Sequence, residues 1–248
     1  MNKTTIAIII ALLIGLGGLA VWTSLNPDAK INYNDYDTTK IIAANDNSGQ
    51  IGDHYRGAED AKVILVEYAD LQCPGCASMM PKVSKLYEEY GDRVGFIFRS
   101  YPITGHQNAR SASAAAEAAG FQGFFWEMVE SMYDNRADWI SISDTEKRTN
   151  VYADIFKKVA GDKADVEKFK SDLNNVNIQK KIDFDRGLGA KRDNVDATPT
   201  IIVNGEKVDF EDADDVAKVI EDLINKKLEE AGIETGPKES AEDEATEE

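Results

Sequence analysis

An apolar run rich in β-branched residues, Lys62–Ala69 (KVILVEYA), predicts a buried strand. The stretch Pro74–Tyr90 has helical composition and is followed by Gly91, a residue type that commonly ends helices. Val94–Arg99 is a second apolar run and predicts a second strand. The order strand, helix, strand indicates a β-α-β unit with a right-handed crossover.

The second half of the chain predicts a block of helices followed by a hairpin. Between about residues 105 and 192 the apolar and polar positions follow helical spacing. Thr200–Val203, the turn Asn204-Gly205 and Glu206–Phe210 predict a hairpin, because Asn and Gly tolerate the positive φ that a two-residue turn demands. Asp212–Glu230 is amphipathic and predicts a closing helix. We therefore expect an α/β fold in which a helical insertion lies between strands.

An uncharged and almost wholly apolar segment, Ile6–Trp22, stands near the start of the chain. At helical rise it nearly covers the hydrocarbon core of a bilayer. A cleaved signal peptide is the alternative, but no clear small-x-small cleavage site precedes the polar run from Thr23. We expect a transmembrane signal anchor over residues 1–25. Because Lys3 lies on the short N-terminal side, the rest of the chain is predicted on the extracytoplasmic side of the cell membrane, as a single-pass protein.

Composition divides the remainder into three parts. Residues 26–56 are polar without sustained periodicity and predict a tether. Residues 57–230 hold the periodic segments and predict the folded domain. Residues 231–248 end in an acidic run without aromatic residues, which predicts a disordered tail.

The charge of the chain restricts its partners. Its formal net charge is -17 at pH 7. Binding to a phosphate backbone depends on Lys and Arg that neutralise phosphates, so a chain this acidic is not expected to bind nucleic acid.

The chain has two cysteines, and they form the motif Cys73-Pro74-Gly75-Cys76 at the predicted junction of strand and helix. At a helix N-terminus, unpaired backbone N–H groups and the helix dipole favour a thiolate on Cys73. Cys76 lies one turn further on, close enough to attack a mixed disulfide. Pro74 suits a first helical turn and Gly75 adds no bulk around the sulfurs. The motif predicts redox chemistry.

The motif has two other interpretations. A static disulfide gains little here, because so short a loop restricts the unfolded chain only slightly. A Cu(I) site is a second possibility, because Met79 and Met80 add soft ligands to the two cysteines. Against it, the two histidines of the chain, His54 and His106, are not in a recognisable ligand spacing.

Two separated segments carry a resemblance to a known family. Val66–Cys76 (VEYADLQCPGC) and, far downstream, Ala197–Gly205 (ATPTIIVNG) resemble the DsbA-like thiol–disulfide oxidoreductases of the thioredoxin-fold superfamily. The similarity covers about residues 57–228 and includes the helical insertion. It implies a thioredoxin-like α/β fold and an enzyme that exchanges dithiols with disulfides, without cofactor or metal.

The resemblance also implies roles for individual residues. Cys73 is expected to be the exposed nucleophile and Cys76 the resolving cysteine. Thr198-Pro199 is expected to form a cis-proline loop that lies beside the disulfide and, with Pro74 and Gly75, contacts substrate. Glu67 matches the buried acid of the family, which exchanges a proton with the second cysteine; a solvent-facing strand residue is its alternative.

The inter-cysteine pair departs from the best-known oxidase pattern. Pro74-Gly75 places no histidine between the sulfurs, so one source of thiolate stabilisation is absent and the direction of electron flow stays open. We expect donation of disulfides to exported proteins that carry cysteine thiols, with a membrane-bound or secreted redox partner. A reductase or isomerase with the same site is the alternative; a Cu(I) chaperone and a redox-inactive binding module are alternatives of a different class.

Overall fold

The computed structural model describes residues 31–209 and 215–238. The chain divides into two units, the first ending at Asp35 and the second beginning at Tyr36. Within the first unit the described residues form a single 3-10 turn, Tyr33–Asp35. The predicted anchor over residues 1–25 lies outside the described residues. In the described ranges, no helix combines the length and apolar character needed to cross a membrane.

Among its described residues, the second unit is built on a five-stranded sheet with the order β1-β3-β2-β4-β5. The central strands β2 and β3 run parallel, and the other neighbouring pairs are antiparallel. Every residue of β2 and β3 is buried, as their apolar sequences predict. The strands are β1 (His54–Gly57), β2 (Val63–Ala69), β3 (Val94–Ser100), β4 (Thr200–Val203) and β5 (Glu206–Lys207).

Helix α1 (Pro74–Tyr90) connects β2 to β3, so the predicted β-α-β unit is present. Six further helices lie between β3 and β4 and form the predicted insertion. They are α2 (Ala109–Gly120), α3 (Phe125–Asp134), α4 (Arg136–Trp139), α5 (Thr145–Ala160), α6 (Val166–Asp172) and α7 (Val176–Lys191).

Small side chains let the insertion pack closely. Helix α2 is rich in alanine, and its buried alanines share one core with aromatic side chains of the neighbouring helices, including Trp139, Phe156 and Phe169. Because alanine adds so little bulk, α2 can approach its neighbours at short interaxial distance. This core also contains Cys76 and Met80, so side chains of the insertion pack beneath the two cysteines.

The chain returns to the sheet through the predicted hairpin. Asn204 and Gly205 have φ angles of 47° and 82° and form the turn between β4 and β5. Helix α8 (Val216–Glu230) follows, and its buried Ile220, Ile224 and Leu228 join α1 and the sheet in a second core. The thioredoxin-like fold with a helical insertion is confirmed.

The folded unit begins earlier than the predicted boundary at residue 57. Residues 36–56, expected to be a tether, belong to the same compact unit as the sheet. The side chain of Asp53 is fully buried and binds the Arg99 side chain at 2.7 Å, and β1 pairs with β3. Long-range pairing of a short polar segment, which composition does not reveal, accounts for the error.

The boundary at the other end also needs correction. Residues 231–238, predicted as part of a disordered tail, lie against the domain. Ile233 packs on the core of α1 and α8, the Gly236 N–H donates to the Asn225 side chain at 2.8 Å, and the Lys238 N–H donates to the Glu89 carbonyl at 3.0 Å. Residues 239–248 lie outside the described residues.

Candidate active site

The two cysteines lie where β2 delivers the chain into α1. Cys73 is the N-cap of α1, with extended backbone angles, and Pro74 occupies the first turn. The Cys73 N–H donates to the Asp70 carbonyl at 2.9 Å, which closes the turn that precedes the helix. Both cysteines are free thiols. The helix therefore begins at the first sulfur and carries the second one turn inside.

The two thiols differ in exposure and in acidity. Cys73 is 8% exposed and Cys76 is 0% exposed. Cys73 is therefore more buried than the exposed nucleophile that the resemblance implies. The pKa of Cys73 is lowered to about 5, chiefly by the hydrogen bond from Cys76. Hydrogen bonds from Thr198 and from backbone N–H groups lower it further, whereas burial acts in the opposite direction. Burial, the hydrogen bond to Cys73 and the charge of Glu67 raise the pKa of Cys76 above its ordinary value. Cys73 is thus the thiolate of the pair.

A proline loop covers the dithiol from the side of β4. The Thr198–Pro199 peptide bond is cis, as predicted, and Cys73 Sγ lies 3.3 Å from the Thr198 carbonyl, to which it donates only while it carries its proton. A β-carbon on Gly75 would lie 3.1 Å from Pro199 Cδ and 3.6 Å from Cys73 Sγ. Gly75 therefore lets the loop lie directly against the first turn of α1. The structure brings Cys73, Gly75, Thr198 and Pro199 together.

Glu67 lies below the dithiol on the central strand. It pairs with Phe98 of β3 and Ile201 of β4 and is 3% exposed, which excludes the alternative of a solvent-facing side chain. Its Oε1 atom has no hydrogen-bond partner among the described residues. Burial, opposed by the charge of Arg56, raises the pKa of Glu67 to about 7. The carboxyl group can therefore gain or lose a proton near neutral pH.

Arg56 is a charged neighbour of this region that the sequence did not suggest. Its guanidinium lies between the rings of Tyr87 and Trp126, 4.2 and 4.3 Å from their centroids, and donates to Glu130 at 2.9 Å. Stacking on two aromatic faces holds a cation in a largely desolvated position. Arg56 lies on β1, within the polar segment predicted to be a tether. The only sequence signal for this strand is the alternation of polar and apolar side chains over a few residues.

Asp70 and His106 were also not assigned a role in the site. The side chain of Asp70 is fully buried, and His106 Nδ1 lies 2.7 Å from Asp70 Oδ2. The Asp70 backbone N–H faces Cys76 Sγ at 3.5 Å. The placement of an aspartate three residues before Cys73 is the available signal, because Asp side chains commonly bind backbone N–H groups two residues onward.

The residues suggested as copper ligands do not converge. Met79 packs in the core formed with α8 and the sheet, whereas Met80 packs in the core of the helical insertion. In the ranges that the structure describes, no group of three or more His, Cys, Asp and Glu side chains is arranged to hold a metal ion.

Comparison with known proteins agrees with this geometry. A family model described as thioredoxin matches residues 50–222, so the chain belongs to this thioredoxin family. A DsbA-like thioredoxin fold that presents a Cys-x-x-Cys dithiol at a helix N-terminus defines the class of protein thiol–disulfide oxidoreductases. The family and the placement of the motif agree with the predicted enzyme class.

Solved structures with a similar fold include DsbA-like proteins. Oxidised BdbD from Bacillus subtilis superposes with a TM-score of 0.59 at 24% identity, covering 76% of this chain and 97% of that one. The α-DsbA1 protein of Wolbachia pipientis gives 0.58 at 20% identity, covering 72% and 92%. The resemblance to DsbA-like proteins is confirmed for the fold.

Curated relatives share only this domain. The Na(+)/H(+) antiporter NhaA 1 of Mycolicibacterium vanbaalenii is 31% identical over 156 residues, which are 62% of this chain and 23% of the antiporter. The Na(+)/H(+) antiporter NhaA 3 of Salinispora tropica is 35% identical over 161 residues, 62% of this chain and 22% of the antiporter. The chain thus spans less than a quarter of the length of these relatives.

Proposed function

We propose that the protein donates disulfides to exported proteins through the Cys73–Cys76 pair. The observation that carries this direction is the thiolate of Cys73, with a pKa of about 5, beside a buried thiol of raised pKa. A thiolate that is stable at neutral pH favours the reduced protein over its disulfide. A disulfide whose reduced form is stabilised in this way is a strong oxidant.

The exchange has two steps. A substrate thiolate attacks Cys73 Sγ, the Cys73–Cys76 bond breaks, and its electron pair stays on Cys76. A second substrate thiolate then attacks the substrate sulfur of the mixed disulfide and expels Cys73 as a thiolate. The substrate loses two electrons as its disulfide forms, and the protein keeps them as the reduced pair.

Glu67 supplies the proton that the first step needs. Cys76 leaves as a thiolate in a buried position, where its charge is costly. A neighbouring carboxyl group with a pKa of about 7 is protonated in part of the population at neutral pH and can give its proton to that sulfur. In the reverse step it takes the proton back.

The proline loop is the proposed substrate-binding element. The Thr198 carbonyl lies beside Cys73, and a cavity of about 460 Å³ opens next to Pro199 and Thr200. Main-chain groups at such a position can pair with an extended substrate segment while its cysteine reaches the sulfur. The cavity is lined by Asp196, Ala197, Pro199, Thr200, Lys207, Val208 and Asp209.

We further propose that the domain works outside the cytoplasmic membrane, held there by the apolar segment Ile6–Trp22. Disulfides persist in oxidising compartments, where a donor has clients. Each turnover leaves two electrons on the protein, so a membrane-bound or secreted redox partner must remove them. The antiport activity named for the larger relatives is not carried over, because the shared segment is the thioredoxin-like domain.

Equilibration with glutathione redox buffers, read by thiol alkylation, tests the direction of exchange. We expect the Cys73–Cys76 pair to be more oxidising than about -180 mV, the value of a disulfide isomerase. A value near about -270 mV, that of thioredoxin, would instead make the protein a reductase. Cys76→Ala cannot form the internal disulfide and provides the blank.

A further inference from the structure

Asp70 is a buried carboxylate held in place from three directions. It directly follows β2, and its side chain is fully buried. Asp70 Oδ1 accepts from the Gln72 N–H at 2.7 Å. Asp70 Oδ2 accepts from the Ile103 N–H at 2.9 Å and lies 2.7 Å from His106 Nδ1. These contacts join the end of β2 to the loop between β3 and α2.

The main chain of Asp70 contacts both cysteines. Its carbonyl accepts from the Cys73 N–H at 2.9 Å, and its own N–H faces Cys76 Sγ at 3.5 Å. Tyr133 adds a hydroxyl that donates to the same carbonyl at 3.4 Å. Because backbone and side chain of one residue move together, the side-chain contacts of Asp70 determine how its N–H meets the Cys76 sulfur.

His106 is the part of this frame that reaches the surface. Its side chain is 31% exposed and lines a cavity of about 240 Å³ in the loop that follows β3. The charged groups that face this cavity are Arg110 of α2 and Arg186 of α7. Arg110 pairs with Asp183, and Arg186 donates to the Thr104 hydroxyl, so both are tied to other groups.

We infer that His106 is a positioning residue for the leaving sulfur of Cys76. Its Nδ1–H holds the Asp70 carboxylate, and through the Asp70 backbone it keeps an N–H on Cys76 Sγ. That N–H stabilises the negative charge when the Cys73–Cys76 bond breaks and the electron pair passes to Cys76. This role rests on the proposed function, because it acts in the first step of exchange.

The rate at which the oxidised protein transfers its disulfide to a peptide dithiol tests the inference. His106→Ala is expected to slow transfer about tenfold, as for a transition-state contact weakened by about 1.4 kcal/mol. His106→Asn places an amide donor near the position of Nδ1 and should restore the rate to within about twofold. Arg186→Gln, which alters the same cavity without touching Asp70, is the matched control and should leave the rate unchanged.

Three possible results of the rate measurement decide between the role of His106 and the proposed function. A wild-type rate in His106→Ala, or a His106→Asn rate as slow as that of His106→Ala, overturns the role of His106 and leaves the proposed function intact. A wild-type protein that transfers no disulfide overturns the proposed function and this inference with it. Thermal denaturation verifies folding, and should His106→Ala not fold, His106→Ser, whose side chain is too short to reach Asp70, takes its place under the same criteria.

Discussion

Two buried carboxylates on opposite faces of the sheet show how the surroundings decide what an acid does. Asp53 binds the Arg99 side chain at 2.7 Å, accepts from the Ile42 N–H at 2.9 Å and lies 3.5 Å from Lys181 Nζ. Burial alone would raise its pKa, but the charges of Arg99 and Lys181 hold the pKa of Asp53 below its ordinary value. Asp53 is therefore a permanent anion within a compensated cluster.

Glu67 on the other face lacks such compensation. Strand alternation turns it away from Tyr68 and Arg99, and its Oε1 has no partner among the described residues. Burial prevails over the charge of Arg56, and the pKa of Glu67 rises to about 7. The difference teaches that Asp53, surrounded by buried cations, keeps its charge, whereas Glu67, incompletely paired, is able to exchange a proton near neutral pH.

The largest expected effect comes from removing the thiol next to Glu67. In Cys76→Ser the mixed disulfide on Cys73 has no internal thiol to resolve it, so adducts should accumulate with glutathione disulfide or a client protein. A non-reducing gel and mass measurement detect them. Cys73→Ser is the control and should trap nothing; adducts that form equally well in Cys73→Ser would contradict the assignment of Cys73 as nucleophile.

Breaking the cluster of Asp53, Arg99 and Lys181 should lower the stability of the protein and leave the chemistry of the dithiol unchanged. Asp53→Asn removes the carboxylate that the buried Arg99 contacts at 2.7 Å, while Lys181 keeps Asp185 at 2.6 Å, and is expected to lower the free energy of unfolding by about 3–5 kcal/mol at pH 7. Because the folded-state pKa of Asp53 lies below its unfolded value, its contribution exists above that unfolded value and disappears as pH falls through the folded one.

Urea denaturation of Asp53→Asn at several pH values measures this loss. Asp37→Asn, which breaks an exposed pair with Lys40, should change stability by less than about 1 kcal/mol and is the matched control. The reduction potential of the dithiol should not move in either variant. A shifted potential in Asp53→Asn would mean that the two faces of the sheet are coupled.

The same acid-to-amide change at Glu67 should raise the free energy of unfolding, whereas at Asp53 it lowers it. Its folded-state pKa is raised, so the ionised form destabilises the fold as pH rises through the interval from about 4.5 to about 7. Glu67→Gln should therefore match the wild type near pH 4 and be more stable by about 1–3 kcal/mol at pH 8.

Glu67→Gln should also slow disulfide exchange by about 10²-fold near neutral pH, because the amide cannot carry the proton of Cys76. Stopped-flow measurement of transfer to a peptide dithiol gives this rate. A variant that gains stability at pH 8 but exchanges at the wild-type rate would keep the electrostatic comparison and remove Glu67 from the mechanism.

The smallest expected effect concerns the C-terminal segment, far from either carboxylate. Deleting residues 231–248 removes the packing of Ile233 and the bond from Lys238 to Glu89, and should cost about 1 kcal/mol more than deleting residues 239–248. Neither deletion should change the exchange rate. Equal stability of the two truncated proteins would show that residues 231–238 contribute nothing to folding.

Prediction from the sequence succeeded where the signal is local. The apolar run of β2, the helix α1 with Pro74 in its first turn, and the Asn204-Gly205 turn each depend on residues within a few positions of one another. It failed for β1, since four residues of mixed polarity form a strand only because β3 offers an edge to pair with.

The sequence by itself determined the unit of β2, α1 and β3, the helical block that follows it and the dithiol at the start of α1, and the family resemblance implied the proline loop that returns to the dithiol. Tertiary structure decided which acid keeps its charge, because Asp53 meets Arg99 and Lys181 from distant parts of the chain while Glu67 does not. It also decided that His106 meets Asp70, 36 positions earlier. Protonation and hydrogen bonding depend on burial and on partners in space, and neither is encoded in local spacing.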